Sequence, residues 1–496
     1  MKISATYGDA LVRETPLLAI GGWESEPLPQ PLVGLLEDGD WAGTFKQTLL
    51  LYARGALPAR RVLLVGLGKR AQITAERLAE AAALAAQRAR DLRVDSFTID
   101  LPAAETVAPA AAAQALAEGA SLGLYRFQRY KTGLPDGDRR EPAEMTIVAS
   151  AKDDAIEGAI RLGQAIARGV ALARDLANTP GNDLPPAGLA EAAQSAGARA
   201  GVDVTVLGIE ELQAQGFGGI IGVGQGSAQP PRFIIMEYGG NGSASGPAAG
   251  APTICLVGKG ITFDTGGISI KPADRMDEMK TDMSGAAAVI GTLQVVAELK
   301  LPLHVVGLIS AAENMPSGMA YKPGDIITTL SGKTIEVLNT DAEGRIVLAD
   351  ALYYAQRYQP DAIVDLATLT GAIVVALGHH AIGIMGNDDA LAERILQAGE
   401  ATGERAWRLP LWAPYKEMVK SEIADVKNTG GRYGGAITAA AFLSNFAGDY
   451  PWVHMDIAGT ALAESKPQKA YMPKGATGVG VRLLVQMLRT WSEPRP

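Results

Sequence analysis

Short runs of apolar and β-branched residues alternate with helical patterns through the first part of the chain. Such runs predict strands where turn residues bound them, and they fall at residues 17–20, 48–52, 61–65, 96–101 and 145–149. Alanine-rich sequence at residues 74–92 and 105–122 predicts two helices between these strands, and Thr74 is a suitable N-cap for the first. This alternation predicts a small α/β domain.

The same alternation resumes after residue 187, and its strands are more fully apolar. Strands are predicted at residues 202–207, 233–238, 253–257, 304–309, 334–338, 362–366, 382–385 and 453–457. Helices are predicted at residues 187–200, 284–300, 345–358 and 390–401. Apolar strands separated by helices are typical of a sheet buried on both faces. The pattern therefore predicts a mixed, largely parallel sheet covered by helices.

The boundary between these two parts is predicted at a long helix. Apolar residues such as Ile156 and Ile160 recur at helical spacing between residues 153 and 177, and a Pro/Gly-rich stretch at 178–186 then ends the helix. The predicted organisation is a smaller N-terminal α/β domain at residues 1–152, a connecting helix at 153–178 and a larger α/β domain at 179–496. A stretch rich in Gly, Ala, Ser and Pro at residues 239–252 is predicted to form a surface hairpin.

Composition narrows the class of protein. A length of 496 residues predicts two or three domains, and 58 glycines without a short repeat indicate many tight loops. The net charge of −9 argues against general nucleic-acid binding. The single cysteine, Cys255, lies in an apolar run, so no disulfide framework can form within the chain, as expected in a reducing compartment.

Charged residues interrupt the N-terminal sequence, and no apolar run approaches the ~18 residues of a membrane helix. A cytoplasmic protein without a membrane span is therefore predicted.

Two polar clusters interrupt the apolar sequence of the second part. One lies between Lys259 and Asp282, the other is Asn339-Thr-Asp-Ala-Glu-Gly-Arg345, and each begins near the end of a predicted strand. Together they hold four acidic residues, namely Asp264, Asp282, Asp341 and Glu343. Four carboxylates brought together would repel, and two divalent cations would cancel their charge and activate one water molecule. N-caps, turns and surface ion pairs explain most single aspartates. The whole set, beside Gly266-Gly267 and Gly344, favours a two-metal site.

Both clusters resemble the signature segments of the leucyl aminopeptidase family, the dizinc cytosol aminopeptidases. Residues 339–345 match the most specific motif of that family, residues 259–282 match its other ligand segment, and the similarity extends from about residue 178 onward. The resemblance implies an enzyme that releases N-terminal amino acids, preferably leucine and other apolar residues, from peptides with a free N-terminus. It also implies attack by a water molecule that two divalent ions, Zn²⁺ or Mn²⁺, activate, and a homohexamer with active sites facing a central cavity.

The resemblance assigns a role to each polar residue. Asp264 and Glu343 would bridge the two ions, Asp341 would complete the more exchangeable position, and Lys259 with Asp282 would complete the tighter one. Lys271 would polarise the scissile carbonyl and stabilise the developing oxyanion. Arg345 would hold a bicarbonate ion as general base, for which a planar guanidinium is well suited. From the residues alone, Lys259 is more simply an ion-pairing lysine, and its role as a ligand depends on the resemblance.

Three further residues match positions that line the pocket for the first side chain of the substrate in that family. They are Met279, Thr368 and Gly371. A flexible thioether at residue 279 would suit leucine and methionine side chains, although ordinary core packing of a methionine is the alternative.

Two other functions are compatible with parts of the pattern. A dimetal phosphoesterase would also use clustered carboxylates, but nitrogen ligation by Lys259 favours zinc or manganese over magnesium, and no phosphate-cradling loop is evident. An accessory DNA-binding role, known for some bacterial members of the family, would use basic residues of the N-terminal domain. The candidates are Arg54, Arg60, Arg61, Lys69 and Arg70. A solvated basic face is the simpler interpretation, so nucleic acid is not the favoured partner.

Two more motifs are weak. Val65-Gly66-Leu-Gly68 approximates a dinucleotide fingerprint, whose acidic partner should end the next strand about 20 residues further on. The nearest candidate, Asp100, lies too far along the chain, so a tight strand-to-helix turn is preferred. None of the four histidines lies in the ligand clusters, and no His-Glu-x-x-His helix is present. A thermolysin-like protease is therefore disfavoured, and the His379-His380 pair is only a weak metal candidate.

Overall fold

The computed structural model describes residues 1–135, 137, 140–240, 250–463 and 469–491. The chain forms two compact units. The first runs from Met1 to Arg168 and includes a short segment that ends at Lys474, and the second holds most of the chain from Gly169 onward. The change of unit falls within the long helix Asp154–Asn178. The division of the chain at residues 152 and 178 stays a prediction.

The first unit contains a six-stranded sheet, three described α-helices and the first part of the long helix Asp154–Asn178. Its strands are β1 (Lys2–Tyr7), β2 (Leu18–Trp23), β3 (Thr48–Tyr52), β4 (Arg61–Gly68), β5 (Ser96–Asp100) and β6 (Glu144–Ala149). Their order is β1-β6-β5-β2-β4-β3, and all neighbours are parallel except β3, which is antiparallel to β4. Its helices are α1 (Gln30–Val33), α2 (Ala75–Asp91) and α3 (Pro109–Gly123). Strand β1 was not predicted, because its polar and apolar residues do not form a buried run.

Alanine and glycine allow α2 and α3 to pack closely. A Cβ atom added at Gly119 would lie 2.0 Å from the carbonyl oxygen of Ala79, and one added at Gly123 would lie 2.7 Å from the Cα of Ala83. The side chain of Thr74 accepts a hydrogen bond from the Arg77 amide and caps α2, as predicted.

The two glycines at the end of β4 also have a packing explanation. A Cβ atom at Gly66 would lie 1.9 Å from the carbonyl oxygen of Thr44, and Gly68 has a φ of +73°. Both positions therefore require glycine for backbone reasons, which agrees with a tight turn rather than a nucleotide site.

The main sheet of the second unit has eight strands. They are β7 (Asp203–Leu207), β8 (Arg232–Tyr238), β9 (Thr253–Asp264), β10 (His304–Asn314), β13 (Ala362–Ala367), β14 (Ile382–Gly386), β15 (Ala406–Arg408) and β17 (Trp452–Asp456). The order is β15-β14-β17-β13-β9-β10-β8-β7. The central strands β10, β9, β13 and β17 are parallel, whereas β8 and β14 are antiparallel to their inner neighbours. The predicted mixed, largely parallel sheet is confirmed.

Short strands and helices complete this part of the chain. The short strands are β11 (Ile326–Thr328), β12 (Thr334–Glu336), β16 (Val426–Lys427), β18 (Leu462–Ala463) and β19 (Gly475–Ala476). The helices are α4 (Asp154–Asn178), α5 (Pro186–Ala200), α6 (Ile209–Gln215), α7 (Gly218–Gly224), α8 (Ser284–Glu298), α9 (Gly344–Ala355), α10 (Gly371–Leu377), α11 (Asp389–Thr402), α12 (Ala413–Glu417), α13 (Gly435–Leu443) and α14 (Val481–Arg489). Among the described residues, no helix is both long enough and apolar enough to cross a membrane.

Strand β9 extends well beyond its predicted end at residue 257. It pairs with β10 as far as the Asp264–Asn314 register position, so Lys259 and Asp264 lie on the strand and not in a loop after it. The apolar run ends at residue 257 because the next position, Gly258, has no room for a side chain. A Cβ at Gly258 would lie 2.7 Å from the Cα of Ala286 in α8. The predicted hairpin at residues 239–252 lies mostly outside the described residues.

Candidate active site

Three carboxylates converge where β9 ends. Asp264 is the last residue of β9, and Asp341 and Glu343 precede helix α9. One oxygen atom from each lies within 4.8 Å of the others, and within the described ranges no other group of His, Cys, Asp and Glu side chains is comparably placed. The two predicted clusters therefore form one site.

A buried lysine connects the fourth carboxylate to this group. The Nζ atom of Lys259 lies 2.8 Å from Oε1 of Glu343 and 2.8 Å from Oδ2 of Asp282. It also donates a hydrogen bond of 3.0 Å to the carbonyl oxygen of Thr368. Burial alone would lower the pKa of Lys259, but the surrounding carboxylates outweigh burial and raise it above its ordinary value.

The second lysine approaches the same group from a sharp turn. Gly266 and Gly267 have φ values of +87° and +67°, which bring Lys271 back toward the strand end. Its Nζ atom lies 2.7 Å from Oδ2 of Asp264 and also forms an ion pair with Asp341. Burial would lower the pKa of Lys271, and the neighbouring carboxylates raise it instead.

Thr340 connects the two motifs directly. Its hydroxyl donates a hydrogen bond of 2.6 Å to the carbonyl oxygen of Gly266 and accepts one of 2.8 Å from the Ser269 amide. The segment before α9 and the turn after β9 are therefore held at a fixed separation.

Sequence reasoning missed two residues that orient this site. The Asn314 Nδ2 atom donates to Oδ1 of Asp264 at 2.8 Å and to the carbonyl oxygen of Thr340 at 2.9 Å. The Tyr321 hydroxyl donates to the same carbonyl at 2.7 Å. The signal for Asn314 was its place at the end of a strand parallel to β9, where it pairs with Asp264 in register.

Arg345 lies in the first turn of α9 and is buried. One guanidinium nitrogen donates to the carbonyl oxygen of Asn428 at 2.9 Å, whereas Nε has no hydrogen-bond partner in the described structure. Burial lowers the pKa of Arg345 to about 10, against the opposing charges of Glu343 and Asp456. A buried guanidinium with unused donor capacity is suited to an anion.

Two of the three predicted pocket residues contact Lys259 or its partner Asp282. Thr368 donates a hydrogen bond of 2.7 Å from its hydroxyl to Oδ1 of Asp282. Met279 accepts a backbone bond of 3.2 Å from the amide of Asp282. An added Cβ at Gly371 would meet no heavy atom within 4 Å, so this position faces open space.

Three of the four histidines, His304, His379 and His454, have structural partners. His304 lies between the Thr253 hydroxyl and Glu237, at 3.0 Å from each, and Nδ1 of buried His454 lies 2.6 Å from Asp365. Nδ1 of His379 lies 2.7 Å from the carbonyl oxygen of Gly459. None belongs to the carboxylate group described above.

The cluster fits divalent cations. Four carboxylates face two lysines, so the site carries an excess of buried negative charge. Burial and the neighbouring carboxylates together raise the pKa values of Glu343 and Asp341. Oε2 of Glu343 is buried without a hydrogen-bond partner in the described structure. Added cations would neutralise this charge and use this oxygen as a ligand.

A buried, oxygen-rich cluster at the strand ends of a mixed α/β sheet defines a metal-dependent hydrolase site. The chain belongs to the cytosol aminopeptidase family. The model of that family's catalytic domain matches residues 171–485, and the model of its N-terminal domain matches residues 28–133. The protein is thus a metal-dependent aminopeptidase, a peptide hydrolase that acts on peptides with a free N-terminus.

Similar proteins cover nearly the whole chain. A probable cytosol aminopeptidase of Roseiflexus castenholzii is 63% identical over 495 residues, covering 99% of this chain and 100% of that protein. One from a Geobacter species is 48% identical, covering 99% and 100%. Among solved structures, the bottromycin maturation enzyme BotP in complex with Mn has a TM-score of 0.87 and 37% identity, covering 96% and 100%. A mutant of tomato leucine aminopeptidase has a TM-score of 0.88 and 33% identity, covering 99% and 96%.

The predicted family and the two-domain α/β fold are confirmed. The family match and these relatives support neither the dimetal phosphoesterase nor the DNA-binding alternative. In the basic group of the first unit, Arg70 pairs with Glu26 at 2.7 Å and lies over the ring of Trp23 at 4.3 Å. This arginine is therefore engaged within the unit, and the structure adds no support for DNA binding.

Proposed function

We propose that the cluster holds two divalent ions, Zn²⁺ or Mn²⁺, and that the enzyme preferentially releases leucine and other apolar N-terminal residues. The observation that carries this proposal is the convergence of three carboxylates at one strand end, where the buried Lys259 connects them to a fourth, Asp282. The Mn-bound BotP structure and the tomato leucine aminopeptidase support the choice of metal and of substrate.

The proposed ligands fall into two groups that differ in how deeply they are buried. Lys259 and Asp282 would complete the tighter position, Asp341 would complete the more exchangeable one, and Asp264 and Glu343 would be shared. Lys259 must lose its proton to act as a ligand, and nearby cations favour that loss. When bound, the two ions supply Lewis-acid activation of water and of the scissile carbonyl.

Lys271 and Arg345 carry the remaining chemistry. The Lys271 ammonium, on the more open side of the cluster, would stabilise the negative charge that develops on the carbonyl oxygen. Arg345 would hold a bicarbonate ion through its unused donor, and that anion supplies a general base beside the site. A proton taken from water would then reach the leaving amine.

The first side chain of the substrate would lie against Met279, Thr368 and Gly371. The open space at Gly371 leaves room for it, and the thioether of Met279 offers an adaptable apolar wall. Thr368 touches Asp282, so the pocket and the metal ligands share one border.

The assembly and location are part of the same proposal. The enzyme would be a homohexamer in the cytoplasm, with its active sites facing a central cavity. Size-exclusion chromatography with light scattering tests the number of subunits. A single-chain mass at micromolar concentration would contradict the hexamer without affecting the assigned chemistry.

Hydrolysis of leucine p-nitroanilide in the presence of Zn²⁺ or Mn²⁺ tests the reaction. The N-acetylated substrate is the control, because the free amino group is proposed to bind at the metal site. The expected result is cleavage of the free substrate alone, with two ions per chain by metal analysis. Equal cleavage of both substrates would refute the mechanism.

A further inference from the structure

Residues 368–371 connect β13 to the first residue of α10, and Thr368 provides the hydrogen bonds described between this segment and the site. The carbonyl oxygen of Thr368 accepts a hydrogen bond from Lys259, and its hydroxyl donates to Asp282. The next residues are Leu369 and Thr370, and Thr370 is the N-cap of α10. Another part of the fold holds both of them.

That part is Asp456, the last residue of β17. Its side chain is 1% exposed, and three donors approach it. Oδ1 accepts from the amide of Leu369 at 3.1 Å and from the amide of Ala458 at 3.2 Å, and Oδ2 accepts from the Thr370 hydroxyl at 2.6 Å. One carboxylate thus joins the segment after β13 to the turn after β17.

The sheet explains this placement. Strand β17 is parallel to β13, and Asp456 pairs in register with Ala367, one residue before Thr368. The hydroxyl of Thr370 also accepts a bond of 3.1 Å from the Ile373 amide, so Asp456 holds the residue that caps α10. Loss of this carboxylate would release both the segment and the start of the helix.

We propose that Asp456 is a positioning residue for substrate selectivity, because it fixes residues 368–371 against the pocket for the first side chain. This inference rests on the proposed function, in which Thr368 and Gly371 line that pocket. Two of the three hydrogen bonds that this buried carboxylate accepts come from the segment, and hydrogen bonds to a charged group contribute more to stability than those between neutral groups. Small displacements of pocket residues then change the binding of side chains of different size.

The test compares hydrolysis of leucine and alanine p-nitroanilides by Asp456→Leu and Asp456→Asn. In Asp456→Leu, the leucine-to-alanine ratio of kcat/KM should fall by roughly 10-fold or more, mainly through a higher KM, as expected when hydrogen bonds to a charged acceptor are lost. Metal content should stay at the wild-type level. Asp456→Asn should restore most of the selectivity, since an amide can accept from the Leu369 amide and donate to the Thr370 hydroxyl.

Asp365→Leu is the matched control. Asp365 is equally buried, on β13, and its bonds go to Trp452 and His454 instead of the segment. The Asp365→Leu substitution should lower the melting temperature of the enzyme and leave the leucine-to-alanine ratio of kcat/KM unchanged. If Asp456→Leu fails to fold, Thr370→Val removes the shortest of the three bonds and should lower the ratio in the same direction.

The inference is wrong if neither Asp456→Leu nor Thr370→Val changes the ratio, or if Asp365→Leu changes it equally. Thr368→Ala and Gly371→Ala separate this failure from failure of the proposed pocket. If they alter selectivity and Asp456 does not, only the positioning role is lost. If they also leave the ratio unchanged, the pocket itself is misassigned.

Discussion

The two lysines of the active site lie in unlike surroundings. On the deep side, Lys259 is 3% exposed and its partners Asp282 and Glu343 are 7% and 2% exposed. On the open side, Lys271 is 21% exposed and Asp341 is 33% exposed. The same side chain, facing the same number of carboxylates, is thus enclosed in one case and accessible in the other.

This difference indicates different tasks. A fully enclosed ammonium has no solvent to stabilise it, so its charge depends wholly on the adjacent carboxylates, and cations in the same place would compete with its proton. An ammonium at the open side can stay charged and contact an incoming substrate. The deep side is therefore suited to holding an ion and the open side to catalysis, and the experiments below test that division.

Substitution of the carboxylate that is proposed to bind both ions should have the largest effect. Glu343→Ala removes the proposed bridging ligand, so metal content and kcat should fall together. The loss in kcat should exceed the ~10²–10³-fold caused by removal of a single oxyanion donor. Metal analysis beside steady-state kinetics measures both.

Glu417→Ala, which removes an exposed carboxylate paired with Lys420, is the control and should change neither quantity. A Glu343→Ala enzyme with two ions per chain and near-normal kcat would remove Glu343 from the site.

Substitution of the two lysines should have different effects on kcat and on metal content. Lys271→Ala should lower kcat by ~10²–10³-fold with metal content retained, because an oxyanion donor is lost. Lys259→Ala should be metal-poor and partly rescued by excess metal, because a ligand is lost. Kinetics with and without added Mn²⁺, together with metal analysis, separates the two. The reverse pattern would exchange the roles of the lysines.

Metal exchange should distinguish the two sides with a smaller change in activity than the substitutions cause. Zn²⁺-loaded enzyme incubated with Mn²⁺ should replace one ion per chain and keep the other, because only one side has an accessible carboxylate. Activity should change by a smaller factor than in the substitutions above. In Lys259→Ala both ions should exchange. Loss of both ions together from the wild-type enzyme would show that depth does not divide the site.

Gly344→Ala should have the smallest effect and act on the deep side alone. An added Cβ would lie 2.6 Å from Cε and 2.7 Å from Nζ of Lys259, so the lysine must shift. Metal affinity should fall by ~10-fold, in the range found for residues that support ligands. Gly371→Ala, whose Cβ meets nothing within 4 Å, should leave affinity unchanged. Equal affinities for both variants would contradict the close packing of Lys259.

The carboxylate cluster of the candidate site could be predicted from the sequence because its members lie in two continuous motifs. Asp341 and Glu343 are two residues apart, and glycines mark the bend that returns Lys271 to Asp264. The full length of β9 could not be predicted. Gly258 and Lys259 interrupt its apolar pattern, and Gly258 lies where α8 packs closely against the strand.

The supporting residues were missed for a different physical reason. Asn314 and Asp456 are single polar residues at strand ends, and neither belongs to a motif. Their positions follow from parallel strand pairing, which brings them beside Asp264 and Ala367 although these residues are far apart in the sequence. Local patterns predict strands, but they do not determine which strands become neighbours.

The pairing of β9 with β13, and of β13 with β17, also affects how a new chain matures. Lys259 is synthesised well before Glu343, and Asp456 follows much later, at rates of ~5–20 residues per second. The two lysines therefore spend on the order of ten seconds without all of their partners, and the loop after β13 has no anchor until β17 is made. Metal capture by all of the proposed ligands is consequently expected only after Glu343 has been synthesised, and the segment after β13 gains its anchor later still, when β17 is complete.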